Sequence, residues 1–329
     1  MTIVRNFVVC SIALSVAFLI PALADDPGAE KEGKVAKTQE KLSTSIQKTA
    51  ARIDNFFSNE RHNWSANKTR VTLRGNFDWI DDLGWEFNPE FKLFLALPGL
   101  NNRLRVVAND DDDNGAADGA PKDQDESDVA LRYIGKQTRK GGYSFDLGLS
   151  TRDSDLQSFV RFNLFGHYSL GNNWAGRSEN RLYWYTSAGL RNDSRQYFER
   201  RLSDNWFFRS RTRLQYEEDK NEGWYPEQKF TLFQRISDRS VLAYEVIARQ
   251  YCDCDPVYPP EKQLVQADRY NLFMARLRFR RNAFYPWLFF ELWPGAAWPE
   301  ERDYEFTPAI RFRLEVVLGT PPKKTVLIE

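Results

Sequence analysis

Two stretches of this chain place arginine at every second position. They are Arg209, Arg211 and Arg213 in "WFFRSRTRLQY", and Arg276, Arg278 and Arg280 in "FMARLRFR". In an extended backbone alternate residues share a face, so each triplet lines three guanidinium groups along one side of a strand. A guanidinium is planar, permanently charged and able to grip carboxylate or phosphate through two parallel donors. Three such groups on one strand face repel each other and require either several carboxylate partners or an anionic ligand. These six residues are the candidate ligand-contacting set. The polar sides of other segments carry Arg70, Arg74, Arg103, Arg105, Arg161, Arg181, Arg311 and Arg313, together with Glu86, Glu90, Glu199, Glu245 and Glu315.

Hydrolytic chemistry has much less to work with, because the chain contains only two histidines. His167 and Ser169, in "GHYSLGNNWAGRSENRLYW", share one strand face, and Asn180 follows on the next segment. Nucleophile, base and orienting group are the roles such a trio would fill. By alternation, however, Asn180 points to the opposite face, so the three meet only if a bulge intervenes. In "DDDDNGAADGAP", Asp110, Asp112, Asn114 and Asp118 occupy places in a calcium-loop pattern, but Pro121 stands where the bidentate Glu should be. No metal site is expected from this stretch. Cys252 and Cys254 are two residues apart, a strained spacing for a disulfide and too few ligands for zinc. With no phosphate-cradling glycine loop, HExxH or dinucleotide fingerprint, no cofactor is expected, and a non-enzymatic role is the reading.

What must position these residues is visible in the change of hydrophobic period. The chain opens with a single-Arg stretch, an apolar run and a small-residue site ending at Ala24, the three-part pattern of an export signal over residues 1–24. Removing it takes away Arg5 and no carboxylate, so a chain of 46 cations and 46 anions becomes one charge negative. That balance argues against a nucleic-acid partner. Within residues 25–67, Val35, Leu42, Ile46, Ala50, Ile53 and Phe57 form one helical stripe. It predicts an amphipathic helix that rests against the domain, plugs it or docks a partner in the periplasm.

From about residue 68 to residue 319 the period becomes two. Val71, Leu73, Phe77 and Trp79 alternate with Arg70, Thr72, Arg74 and Asp78; Phe312, Leu314 and Val316 alternate with Arg311, Arg313 and Glu315. About fourteen such segments are present, with twelve the alternative count, each near ten residues, as a tilted membrane strand requires. Long polar connections (Asp110–Ser127, Glu218–Pro226, Tyr251–Gln263, Pro294–Asp303) fall on one side of the strand order. Short ones (Ser203–Asn205, Ser237–Arg239, Arg281–Asn282) fall on the other. Aromatic residues gather near segment ends: Trp79, Trp85, Tyr143, Tyr168, Trp206, Tyr216, Tyr285 and Trp287.

Alternation alone cannot say which face points inward. A soluble sandwich would bury the oily side, and a membrane barrel would bury the ionic one. Export signal, period, segment length and loop asymmetry agree on the second. On these features the chain resembles bacterial outer-membrane β-barrel proteins of the porin-like kind over residues 69–318. The resemblance implies an all-β, transmembrane antiparallel barrel in the outer membrane, in contact with lipid and lipopolysaccharide. Such barrels usually finish on an aromatic residue, whereas this chain continues through a periplasmic tail, residues 320–329 ("PPKKTVLIE" at its end). An Arg-lined lumen of this width passes or binds small anions, or else a dense Arg–Glu network fills it and makes a closed structural barrel. The His-x-Ser, loop, Asn-Arg-Leu-Tyr order is similar to that of outer-membrane phospholipase A. That likeness would imply Ser169 as nucleophile, His167 as base and Asn180 as its orienting residue.

Overall fold

The structure is a computed structural model. It describes residues 69–97, 103–108, 127–152, 155–218, 224–250 and 271–319, apart from Asp82, Arg139 and Asn172. The expected signal, the helix over 25–67, the tail 320–329, Asp110, Asp112, Asn114, Asp118, Cys252 and Cys254 all lie outside the described residues.

Fourteen strands follow one another: β1 (Arg70–Ile80), β2 (Gly84–Ala96), β3 (Leu104–Ala108), β4 (Ser127–Gln137), β5 (Gly141–Arg152), β6 (Asp155–Gly171), β7 (Trp174–Tyr185), β8 (Gly189–Arg201), β9 (Trp206–Glu217), β10 (Trp224–Ser237), β11 (Ser240–Arg249), β12 (Leu272–Asn282), β13 (Leu288–Pro299) and β14 (Thr307–Gly319). Each pairs antiparallel with its sequence neighbours, and β1 pairs with β14 to close the barrel. Closure gives every strand a neighbour on each side, although β3 is short and among the described residues Gly84–Lys92 of β2 pair with β1 alone. The closing seam runs from Arg70 opposite Gly319 to Ile80 opposite Ala309, and it sets Asp78 against Arg311 and Arg74 against Glu315.

The first strand shows how sequence becomes wall. Thr72, Arg74, Asn76 and Asp78 are buried, while Leu73 and Phe77 between them are exposed. The same parity holds around the circumference. Leu131, Leu147, Val160, Leu277, Phe312 and Leu314 stand on the outside, and polar residues turn inward. Across neighbouring strands the outer rings pack on one another, Phe77 on Phe87 at 4.7 Å between centroids and Phe145 on Phe162 at 4.8 Å.

Several boundaries differ from the sequence expectation, Trp224–Pro226 of the expected 218–226 loop lying in β10 among them. Pro294–Pro299, expected in a loop, belongs to β13, and Arg281–Asn282, expected as a turn, ends β12. The physical reason is visible at Pro294. With no N–H it cannot hold a ladder bond, and the β12–β13 pairing lapses at Leu277 and Arg278. It resumes in the same register, Phe279 opposite Leu292 on one side and Arg276 opposite Gly295 on the other. A proline thus interrupts one ladder without ending the strand. The short connections are also less one-sided than expected. Both 81–83 and 186–188 lie at the rim opposite the one where β1 begins and β14 ends, and that same rim carries the long connections 109–126 and 250–271.

Candidate functional site

The inward parity of the strands brings the charged residues into one continuous interior. On β12 and β13, Glu291 accepts from Arg278 Nε at 2.8 Å, from Arg280, and from the indole Nε1 of Trp293 at 2.6 Å. Arg280 reaches on to Glu315 of β14 at 2.7 Å, which also receives Arg74 Nε of β1 at 2.7 Å. Arg74 then meets Glu90 of β2 at 3.3 Å, and Asp78 holds Arg311. Around Trp293 four guanidinium carbons lie over the ring: Arg278 at 4.4 Å, Arg276 at 4.7 Å, Arg313 at 4.8 Å and Arg311 at 5.1 Å. The negative face of the indole accepts part of the charge that these groups would otherwise press on one another.

A second cluster occupies β8 to β11. Asp193 takes Arg195 and Arg213, at 2.6 and 2.9 Å; Glu199 takes Arg209 Nε at 2.9 Å; Glu227 takes Arg211 and Arg249; Glu245 takes Arg276 at 2.6 Å and Lys229 at 3.1 Å. A third joins β4, β5 and β6, where Asp146 receives Arg132 at 2.8 Å and Arg161 at 2.5 Å. Arg161, Arg280, Glu291 and Glu315 are fully buried.

Charge on the inside and hydrocarbon on the outside is the reverse of a soluble fold. A wall exposing Leu, Phe and Val over most of its circumference, with its ionic groups enclosed, matches the solvent of a bilayer. The chain is an outer-membrane-type β-barrel. The outer surface adds detail to that. Trp85 is exposed at the rim where β2 begins, and Tyr285 stacks on Trp287 at 5.0 Å at the opposite rim, so aromatic side chains mark both ends of the apolar band. A groove of about 620 Å³ lies on this outer face between Phe230, Val246, Ala275, Ala296 and Trp298.

No family model and no curated protein matches the sequence. Among solved structures, the barrel is similar to the KdgM porin (6% identity, 74% of this chain and 98% of that chain covered, TM-score 0.36). It is also similar to the outer membrane channel DcaP of Acinetobacter baumannii (8%, 76% and 96%, TM-score 0.42) and to the CymD monoaromatic hydrocarbon channel (11%, 83% and 93%, TM-score 0.43).

In this outer-membrane barrel both arginine triplets face inward and all six members are buried. Every one of them holds at least one carboxylate: Arg209 with Glu199, Arg211 with Glu227, Arg213 with Asp193, Arg276 with Glu245, Arg278 with Glu291, and Arg280 with Glu291 and Glu315. The repulsion read from their spacing is thus met by partners on adjoining strands. His167 and Ser169 stand opposite Arg177 and Ala175 on the inner face. Asn180 is on the outer face, bonding Ser194 Oγ at 2.6 Å, so the trio is not assembled. Among the described residues, no group of three or more His, Cys, Asp and Glu is placed to hold a metal ion.

Several interior residues escaped the sequence reading, Trp293, Asp193, Glu227 and Asp146 among them. For Trp293 the signal was its parity with Glu291 in "FELWPG", masked by reading Pro294 and Gly295 as a loop. A direct test of the inside-out wall is Leu131→Arg, midway along β4. The substitution is expected to cost about 2–4 kcal/mol of barrel stability, measured by reversible unfolding in lipid vesicles.

Proposed function

We propose that this barrel is an outer-membrane channel that favours small anionic solutes. The observation that carries the reading is the charge balance of the interior. Sixteen arginines and Lys92 are buried there against ten buried carboxylates, among the described residues. The pairing described above neutralises part of this set and leaves a net positive inner surface. Enclosed by a low-dielectric wall, a surplus of one sign concentrates its field along the axis and raises the local concentration of counter-ions. Arg-rich constrictions favour anionic permeants on the same ground.

A second reading has an observation of its own. The triplet arginines are buried and already paired, which suits a barrel whose inside is a closed ionic brace. Conductance separates the two. In planar bilayers the purified protein is expected to open steps of current, and under a tenfold salt gradient the reversal potential takes the sign for chloride. One charge at ideal selectivity corresponds to about 59 mV. Absence of any conductance favours the closed brace, and a cation-signed potential removes the anion preference while keeping the channel.

A further inference from the structure

The lipid-facing side of the barrel is not uniformly apolar. On β7 to β10 a set of uncharged polar side chains takes outward register positions in the middle of the wall: Asn180, Asn192, Gln196, Ser210, Thr212 and Gln228, all half-buried, with Ser178 and Ser194 buried among them. In register, Ser178 stands beside Gln196, Gln196 beside Thr212 and Thr212 beside Gln228, so one polar row crosses four strands. Apart from Asn192, each of these lies at least four residues from either end of its strand, or about 13 Å along it. That depth belongs to hydrocarbon. Elsewhere among the described strands, outward positions at least four residues from the strand ends carry Leu, Val, Phe, Tyr, Trp, Ala, Ile, Pro or Gly; three residues from an end stand Ser158 of β6 and Gln234 of β10, the latter accepting from the Tyr244 hydroxyl at 2.9 Å.

Within the patch the side chains bond laterally. Thr212 Oγ1 donates to Gln228 Oε1 at 2.7 Å, and Gln228 Nε2 donates to Ser210 Oγ at 2.8 Å. Asn180 Nδ2 donates to Ser194 Oγ at 2.6 Å, Ser194 Oγ to Asn192 Oδ1 at 2.9 Å, Ser178 to Gln196, and Gln196 to the Tyr168 hydroxyl. Each carboxamide has two N–H donors and a two-lone-pair oxygen, and each hydroxyl both donates and accepts. Lateral bonds use part of that capacity. Acyl chains can satisfy none of the remainder, and polar groups left in hydrocarbon are costly.

We propose that this patch is the interface with a second copy of the same chain. The occupant follows from the chemistry. The patch contains no charge, so it selects no ionic partner. Every member can act as donor and acceptor, so the surface complements itself. A two-fold axis along the membrane normal, between β8 and β9, lays Gln196, Ser210 and Thr212 of one copy against the same residues of the other. Such isologous contacts close after two subunits. Hydroxyl and carboxamide side chains are the groups that join polypeptides inside a bilayer. Around the patch Trp174, Phe198, Phe208 and Phe230 continue the apolar wall and keep water from the contact.

The test uses the full-length protein in a bacterial outer membrane. A photoreactive benzoylphenylalanine replaces Thr212 in one variant and Phe91, across the barrel on β2, in another, and copies carrying two different tags are expressed together. Illumination at position 212 is expected to give an adduct of twice the chain mass bearing both tags, and at position 91 none. An adduct with a different polypeptide at 212, equal adducts at both positions, or none at either overturns the proposal. Unsubstituted copies with two tags provide the second measurement. They are expected to co-purify when co-expressed and not when separately extracted and mixed. The double change Thr212→Val and Gln228→Leu is expected to lower the co-purified fraction at least tenfold while the barrel stays folded. Unchanged co-purification, or none from the parent chain, overturns it as well.

Discussion

Glu291→Gln lowers the unfolding free energy of the barrel by about 3–5 kcal/mol, the expected cost of leaving a buried ion pair without one partner. Glu291 is fully buried and gathers Arg278, Arg280 and the Trp293 indole. Glutamine keeps the shape and one acceptor oxygen but removes the charge. Arg278 and Arg280 then face each other on β12, with Arg276, Arg311 and Arg313 also close to the Trp293 ring. Arg280 retains Glu315, which limits the loss to the lower part of the range. The measurement is urea unfolding of the vesicle-inserted protein, with Glu86→Gln as control. Glu86 is exposed on β2, and its substitution is expected to stay within about 0.5 kcal/mol. Equal midpoints for the two variants would show that the interior network is not what braces β12 to β14.

Changing Arg209, Arg211 and Arg213 together to Gln moves the reversal potential of the channel toward zero and on toward the cation side. The change removes three of the seventeen buried cations while all ten buried carboxylates stay. Two of the three released carboxylates keep another arginine, Asp193 with Arg195 and Glu227 with Arg249, so much of the β8–β10 wall remains paired. Glu199 loses its contact with Arg209. A single Arg211→Gln variant therefore serves as the milder arm, with a smaller shift in the same direction. Salt supplies the control for an electrostatic cause. Screening shortens from about 10 Å at 0.1 M to about 3 Å at 1 M, so the difference between parent and variant is expected to shrink as salt rises. A selectivity untouched by the triple change would place the selecting groups elsewhere than on β9.

Much of the barrel was legible in the sequence because its signal is local. The alternation of Leu73 and Phe77 with Arg74 and Asp78 needs only neighbouring residues to be read, and so does the Arg-x-Arg-x-Arg spacing on β9 and β12. Strand boundaries were less legible where Pro and Gly stand inside a strand, because proline costs one ladder bond and the sequence does not say whether a strand survives that loss. Pro294 shows that it does. The partners of the arginines were not legible, because they depend on register between strands. Arg74 meets Glu315, 241 positions away, only because β1 and β14 close on each other. Asn180 was placed on the outer face by alternation, yet its role there was hidden. The polar row from Ser178 to Gln228 is spread over four segments and becomes a patch only when β7 to β10 lie side by side.

By itself, then, the order of residues determined that this chain forms long alternating strands with one oily and one ionic face. Period two is a property of the extended backbone and needs no partner strand. Which face encloses the lumen, which carboxylate answers which arginine, and where the outer wall turns polar were decided by closure. Only a closed ring defines an inside, and only its register brings residues far apart in the chain within bonding distance.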